Sequence, residues 1–138
     1  MSTIFVNTLT GTSTAGSIAV TGEGNSTTTN LQQGLAKVWI DAAQDLASIS
    51  DSFNISSLDD DGTGDGGLNY TNNFGSANYC PKISSDDRGA TIGSSQGDFT
   101  NGTKTASGVD FEVYFITADN NRTNFDMAPF ITIHGDLA

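Results

Sequence analysis

Apolar and polar residues alternate most tellingly across residues 51–83, DSFNISSLDDDGTGDGGLNYTNNFGSANYCPKI. Phe53 and Ile55 share one parity, with Ser52, Asn54 and Ser56 on the other, the two-residue period of a half-buried strand. The segment 59–67, DDDGTGDGG, reads as an acidic turn. Gly supplies positive φ there, and Asp hydrogen-bonds its own backbone in turns. Leu68, Tyr70 and Phe74 share the next parity, and Ala77, Tyr79 and Ile83 form a third run. The pattern predicts a three-stranded antiparallel meander, covered by the rest of the chain.

The same reading extends to both sides. Residues 34–40 form a strand with Ala36, Val38 and Ile40 on one face and Leu35, Lys37 and Trp39 on the other. Apolar groups on both faces make it a central or interfacial strand. Residues 42–46, AAQDL, are too short for an isolated helix, so a hairpin connection into 47–50 is expected. The span 84–108 is loop-rich, with short strands expected at 90–92 and 98–105. Alternation is clearest at Val109, Phe111, Val113 and Phe115, against Asp110, Glu112 and Tyr114. A turn at 118–124 leads to a closing strand at 128–135. There Ile131 and Ile133 oppose Phe130, Thr132 and His134, and Pro129 suits a strand's first position. Seven or eight short strands without a convincing helix predict an all-β, antiparallel β-sandwich.

Composition sharpens this picture. The 138 residues suit one domain, and sixteen Gly against two Pro fit many turns. Five Lys and Arg against sixteen Asp and Glu give a net charge of −11. That argues against nucleic-acid binding, which needs cations on phosphates, and against anionic membrane surfaces. Cys80 stands alone, which rules out an intrachain disulfide and a cysteine zinc cluster. It is expected as a small buried residue in a strand. No basic region followed by a long apolar stretch opens the chain, so no secretory signal is expected. Nor does any apolar run approach the ~20 residues that span a bilayer. Synthesis in a cytoplasm follows as an expectation.

Residues 1–33 differ from the remainder. Residues 3–9 form a short β-type run, 17–21 a second, and 22–30 a polar loop. The segment has too few large apolar residues to fold alone, yet Ile4, Phe5, Val6 and Leu9, with Ile18 and Val20, call for burial. The expectation is an N-terminal arm over 1–33 that orders on assembly, ahead of a sandwich domain over 34–138.

Candidate chemistry is sparse. Asp59, Asp61 and Asp65 offer oxygens of the kind hard cations prefer. An EF-hand would need Glu where Tyr70 stands, and strands flank the run, so a solvated turn is the preferred reading and no metal is expected. Asp110 and Glu112 are a carboxylate pair of plausible spacing for glycoside hydrolysis, but they more simply mark a solvated face. Asp86, Asp87 and Arg88 read as a polar loop. His134 has no Ser-centred elbow to serve. No catalytic residue and no cofactor is expected. Trp39, Tyr70, Tyr79 and Tyr114 are candidates for stacking on sugar rings, although such aromatics are usually core. Lys82, Arg88, Lys104 and Arg122 are too dispersed for an anion site.

Several segments together resemble a known module: GLAKVW at 34–39, ISDSFNISS at 49–57, DGTGD at 61–65, NYTNNF at 69–74, ANY at 77–79 and ITIHGD at 131–136. Taken in this order they resemble the β-sandwich module of virion appendage, tail-fibre and decoration proteins of tailed phages, especially those of marine bacteria. The resemblance runs from about residue 34 to the C-terminus. It implies a non-catalytic structural protein, a homotrimer attached to capsid or tail proteins of a virion and made in the host cytoplasm. Contact with a host surface glycan is the alternative role. The chain departs from the pattern in lacking a long fibre shaft before the module. It also has Gly66 and Gly67 where the family more often has a β-former, which implies a looser hairpin. The N-terminal arm then becomes the attachment segment.

Overall fold

The structure, a computed structural model, describes residues 3–11, 18–21, 28–86, 95–99 and 104–138. The strand expected at 90–92, residues 100–103 of the strand expected at 98–105, residues Asp87 and Arg88, and the stretches 12–17 and 22–27 lie outside them. The chain divides into two compact units, Met1–Leu35 and Ala36–Ala138.

In the first unit, β1 (Ala19–Thr21) pairs antiparallel with β2 (Thr28–Asn30), and one helical turn follows, α1 (Leu31–Gly34). The Leu31 N–H donates to the Ile18 carbonyl at 2.8 Å. Two expectations are corrected here. Residues 3–9 are not a strand, because none of the described strands forms a ladder with them. The polar loop at 22–30 ends in a strand, since Thr28 to Asn30 complete the ladder that β1 needs.

The second unit is a sandwich of two antiparallel sheets built from β3 (Val38–Ala42), β4 (Ile49–Phe53), β5 (Ile55–Gly62), β6 (Asp65–Tyr70), β7 (Cys80–Asp86), β8 (Ser95–Asp98), β9 (Gly108–Ile116), β10 (Arg122–Asn124) and β11 (Ala128–His134). The four-stranded sheet has the order β4-β3-β11-β7. The five-stranded sheet runs β10-β9-β6-β5, with β8 also on β9. Glu112 lies opposite Asp65 on one side and Asp98 on the other, while Tyr114 lies opposite Gln96 and Asn124. So β6 and β10 follow each other along one edge of β9, and β8 takes the other edge.

Strand parity fixes the core. Val109, Phe111 and Val113 of β9 and Leu68 and Tyr70 of β6 meet Val38, Ile40 and Ala42 of β3 and Ile131 and Ile133 of β11 in one buried cluster. Tyr70, Phe74 and Tyr79 close the cluster near Gly108, with ring centroids 4.5–5.9 Å apart. Phe115 and Phe125 meet edge-on at 5.9 Å near the opposite end of β9. Gly97 of β8 faces Ile83 of β7 so closely that a Cβ there would lie 2.6 Å from the Ile83 side chain. Its missing side chain lets the two sheets meet at this edge.

The three-stranded meander is not formed. β5 and β6 pair as a hairpin, but β4 and β7 belong to the other sheet. Asn54, at φ 63°, breaks the parity between Phe53 and Ile55 and redirects the chain from one sheet to the other. Its side chain fixes this corner, accepting from the Asn72 N–H at 2.7 Å and donating to the Asn72 carbonyl at 3.0 Å. The acidic stretch is also mostly strand. Asp59 pairs with Gly67 and Asp60 with Gly66, so only Thr63 and Gly64 lie outside the strands. Gly64 takes φ 70°, and a Cβ there would meet the Val113 carbonyl at 2.4 Å. Gly66 is covered rather than loose: the Leu46 side chain lies 2.5 Å from the position of its absent Cβ.

Other boundaries move by a few residues. Residues 34–37 precede β3 rather than joining it, and the connection at 42–46 is a hairpin as expected, with Leu46 at φ 55°. β8 reaches Asp98, the first position of the strand expected at 98–105, and the turn at 118–124 gives way to β10 at Arg122. Pro129 is the second residue of β11, which β3 joins only from Phe130 onward. One edge of β11 is thus without a β3 partner where the proline lacks an N–H.

The Tyr79 hydroxyl donates to the Gly108 carbonyl at 2.8 Å. The Tyr70 hydroxyl is buried with no partner of good hydrogen-bond geometry, although the Tyr79 hydroxyl is its neighbour. Burial, first of all, raises both phenol pKa values. Tyr70→Phe, which removes the poorly satisfied hydroxyl, is expected to be neutral or stabilising, whereas Tyr79→Phe costs about 1 kcal/mol; urea unfolding distinguishes them. A raised phenol pKa means the folded chain holds these protons more tightly than the unfolded chain. Stability is therefore retained up to about pH 10 and lost as pH rises beyond it. Tyr70→Phe is expected to flatten that alkaline loss in the same titration.

Candidate functional site

The outer face of the four-stranded sheet carries the most distinctive chemistry. Register sets Phe53, Trp39, Thr132 and Lys82 in one row across β4, β3, β11 and β7. The next row is Asp51, Asp41, Phe130 and Ser84. Neighbouring strands lie ~4.8 Å apart and the two rows ~7 Å apart, so Trp39 and Phe130 are diagonal neighbours on one surface. Phe53 is 50% and Trp39 37% exposed, and Phe130 is half-buried. An open groove of about 400 Å³ runs between Trp39 and Phe130, lined by these two with Asp41, Lys82, Ser84 and Thr132. This volume falls in the range of small-molecule sites, which combine apolar walls with a few polar groups.

The face follows from alternation: when Val38, Ile40, Ala42, Ile131 and Ile133 point inward, Trp39, Asp41, Phe130 and Thr132 must point outward. Of the four stacking candidates, Trp39 alone stands well out on a surface. Tyr70 and Tyr79 are core, and half-buried Tyr114 lies beneath the Arg122 guanidinium, 4.0 Å from its ring centroid. Phe53 and Phe130 complete the aromatic surface and were missed as site residues. Phe130 was legible from sharing its parity with Thr132 and His134. Phe53 was hidden by its false pairing with Ile55.

The outer face of the five-stranded sheet is acidic. Asp59 and Asp110 flank Gly67, where a Cβ would lie 3.1 Å from Asp110 Oδ1 and 3.7 Å from Asp59 Oδ2. Asn69 Nδ2 donates to Asp59 Oδ2 at 2.6 Å and to Ser57 Oγ at 2.9 Å. Asp60 Oδ1 accepts from the Gly62 N–H at 3.1 Å. Asp61 is exposed, and Asp65 lies on the next strand opposite Glu112. Among the described residues, no group of three or more His, Cys, Asp or Glu side chains is placed to hold a metal ion.

Two readings of single residues are corrected. Glu112 is not on a solvated face: it is 4% exposed and forms an ion pair with Arg122, which β10 brings alongside it. Asp110, exposed beside Gly67, and Glu112, held by Arg122, therefore do not form a matched pair. Cys80 is exposed rather than buried, because Pro81, Ile83 and Ser85 take the inward parity of β7. It lies in register with His134, also exposed. Lys104 lies over the Tyr79 ring at 5.3 Å and donates to the Tyr79 carbonyl at 3.2 Å.

The six expected assembly residues all fall in the first unit. Ile4, Phe5, Val6 and Leu9 are 83, 92, 59 and 61% exposed in the single chain, Val20 is exposed on β1, and Ile18 is partly buried. They are not gathered on one strand.

The half-buried ion pair makes a testable demand. Removing one partner of a buried pair costs about 3–5 kcal/mol, and solvent screening at Arg122, 33% exposed, lowers that toward about 2 kcal/mol. Arg122→Met should show this loss in chemical denaturation. Arg122→Met combined with Glu112→Leu should recover most of it, and Asp110→Asn should change stability by less than about 0.5 kcal/mol.

No protein-family model, curated protein or solved structure matches the chain.

Proposed function

We propose that the chain is a non-catalytic structural module of a phage particle, a homotrimeric surface appendage joined to capsid or tail proteins through residues 1–33. The observation that carries this reading is the exposure of Ile4, Phe5, Val6 and Leu9 in the single chain. Apolar side chains this close together in sequence are not left in water without a cost. Burying each fully is worth about 1.5–3 kcal/mol, so a few of them per arm give a firm attachment. Three linked copies multiply that through effective concentration.

The sandwich supports the reading in a second way. Its buried cluster is drawn from one chain, so the sandwich folds as a module of its own while the arm engages a larger body. The net charge of −11 resists nonspecific association, which leaves specific burial to drive assembly. A second role on the same particle, contact with a host surface glycan, is favoured by the exposed rings of Trp39 and Phe53.

Light scattering at micromolar concentration tests the assembly. The full chain is expected at three times its 14.3 kDa, and replacing Ile4, Phe5, Val6 and Leu9 with Ser is expected to yield a monomer. Thermal unfolding of that variant should be unchanged, and its incorporation into particles should be lost. A monomeric full chain would overturn the trimer, and normal incorporation of the variant would overturn attachment through the arm.

A further inference from the structure

We propose that the outer face of the four-stranded sheet binds a neutral saccharide, with the Trp39 indole as its stacking platform. This deepens the glycan-contact role and does not depend on the arm.

The face is built unlike a surface shaped by stability alone. It exposes two large aromatic rings, Trp39 and Phe53, beside a third, Phe130, on strands whose inward residues already complete the core. Such clustering marks an interaction site.

The occupant follows from the groove's chemistry. A pyranose ring has a C–H-rich face and a rim of hydroxyls that both donate and accept hydrogen bonds. Trp39 and Phe130 offer apolar faces to the first. For the second, Asp41 accepts, Lys82 donates, and the Ser84 and Thr132 hydroxyls do both. Tryptophan suits such a mixed apolar and wet position.

Charge narrows the class further. Among the described residues of the groove Lys82 is the one cation, and the whole chain carries −11. An anionic sugar, a phosphate or an anionic lipid surface meets a repulsive field here. A second copy docked through the same face would set one chain of −11 against another. A neutral, polyhydroxylated ring meets neither penalty.

Trp39 is the chain's single tryptophan, so its fluorescence reports on this groove alone. The full chain is titrated with lactose, maltose, cellobiose and diacetylchitobiose, with glucuronic acid and sialyllactose as anionic comparisons. The expected result is a saturable change in emission with at least one neutral disaccharide and a weaker response to the anionic sugars. By calorimetry, Trp39→Ala should weaken that binding at least about tenfold without moving the thermal midpoint. Should Trp39→Ala disturb folding, Lys82→Met and Thr132→Val, both at exposed positions, are expected to weaken binding in its place. Silence across the neutral panel up to the limit of sugar solubility would overturn the proposal. So would full binding by a folded Trp39→Ala, or self-association that Trp39→Ala abolishes. Arm truncation leaves this titration unchanged, so the sugar site and the assembly reading fail separately.

Discussion

Burial of Val109, Phe111 and Val113 against the inward aliphatics of β3 and β11 is the contact on which the sandwich rests. β9 carries the longest apolar alternation and is contacted by β6, β8 and β10, so its inward face sets the plane of one sheet. Val38, Ile40, Ile131 and Ile133 supply the opposing surface. Once these residues take the inside, the two-residue period of a strand assigns every neighbour to the outside. The outer surfaces follow from the core in direction, and only their chemistry is left to vary.

That freedom is used differently on the two sides. On the four-stranded sheet the outward positions hold Phe53, Trp39 and Phe130 among a few polar groups. On the five-stranded sheet they hold Asp59, Asp65, Asp110 and the Arg122-paired Glu112. The sandwich is thus chemically two-sided: one face suits stacking and the other remains hydrated.

Much of the core was legible because alternation is a direct physical signal. Val109, Phe111 and Val113, the pair Ile131 and Ile133, and the pair Leu68 and Tyr70 all fall inward as their spacing requires. The failures have particular causes. Asp59 to Gly67 looked like loop because its residues disfavour strands by side chain, yet backbone pairing between β5 and β6, and between β6 and β9, overrides that preference. Asn54 reverses parity through one left-handed residue, which no count of apolar positions reveals. Glu112 looked solvated because its partner Arg122 is distant in sequence and arrives only through β10. For the candidate site, Trp39 was visible as an aromatic on a two-sided strand. Phe53 and Phe130 joined it only once the register of β4 and β11 was known.

The aspartates of β5 have a consequence of their own. Among the described strands, β5 is the outermost of its sheet on that side, and an open edge invites strand addition from a neighbouring molecule. Asp59, Asp60 and Asp61 are all exposed along it. Two such borders brought side by side would align carboxylate against carboxylate before any main-chain ladder could zip. Neighbouring copies are thereby kept from fusing their sheets into fibrils, and the acidic run acts as a gatekeeper.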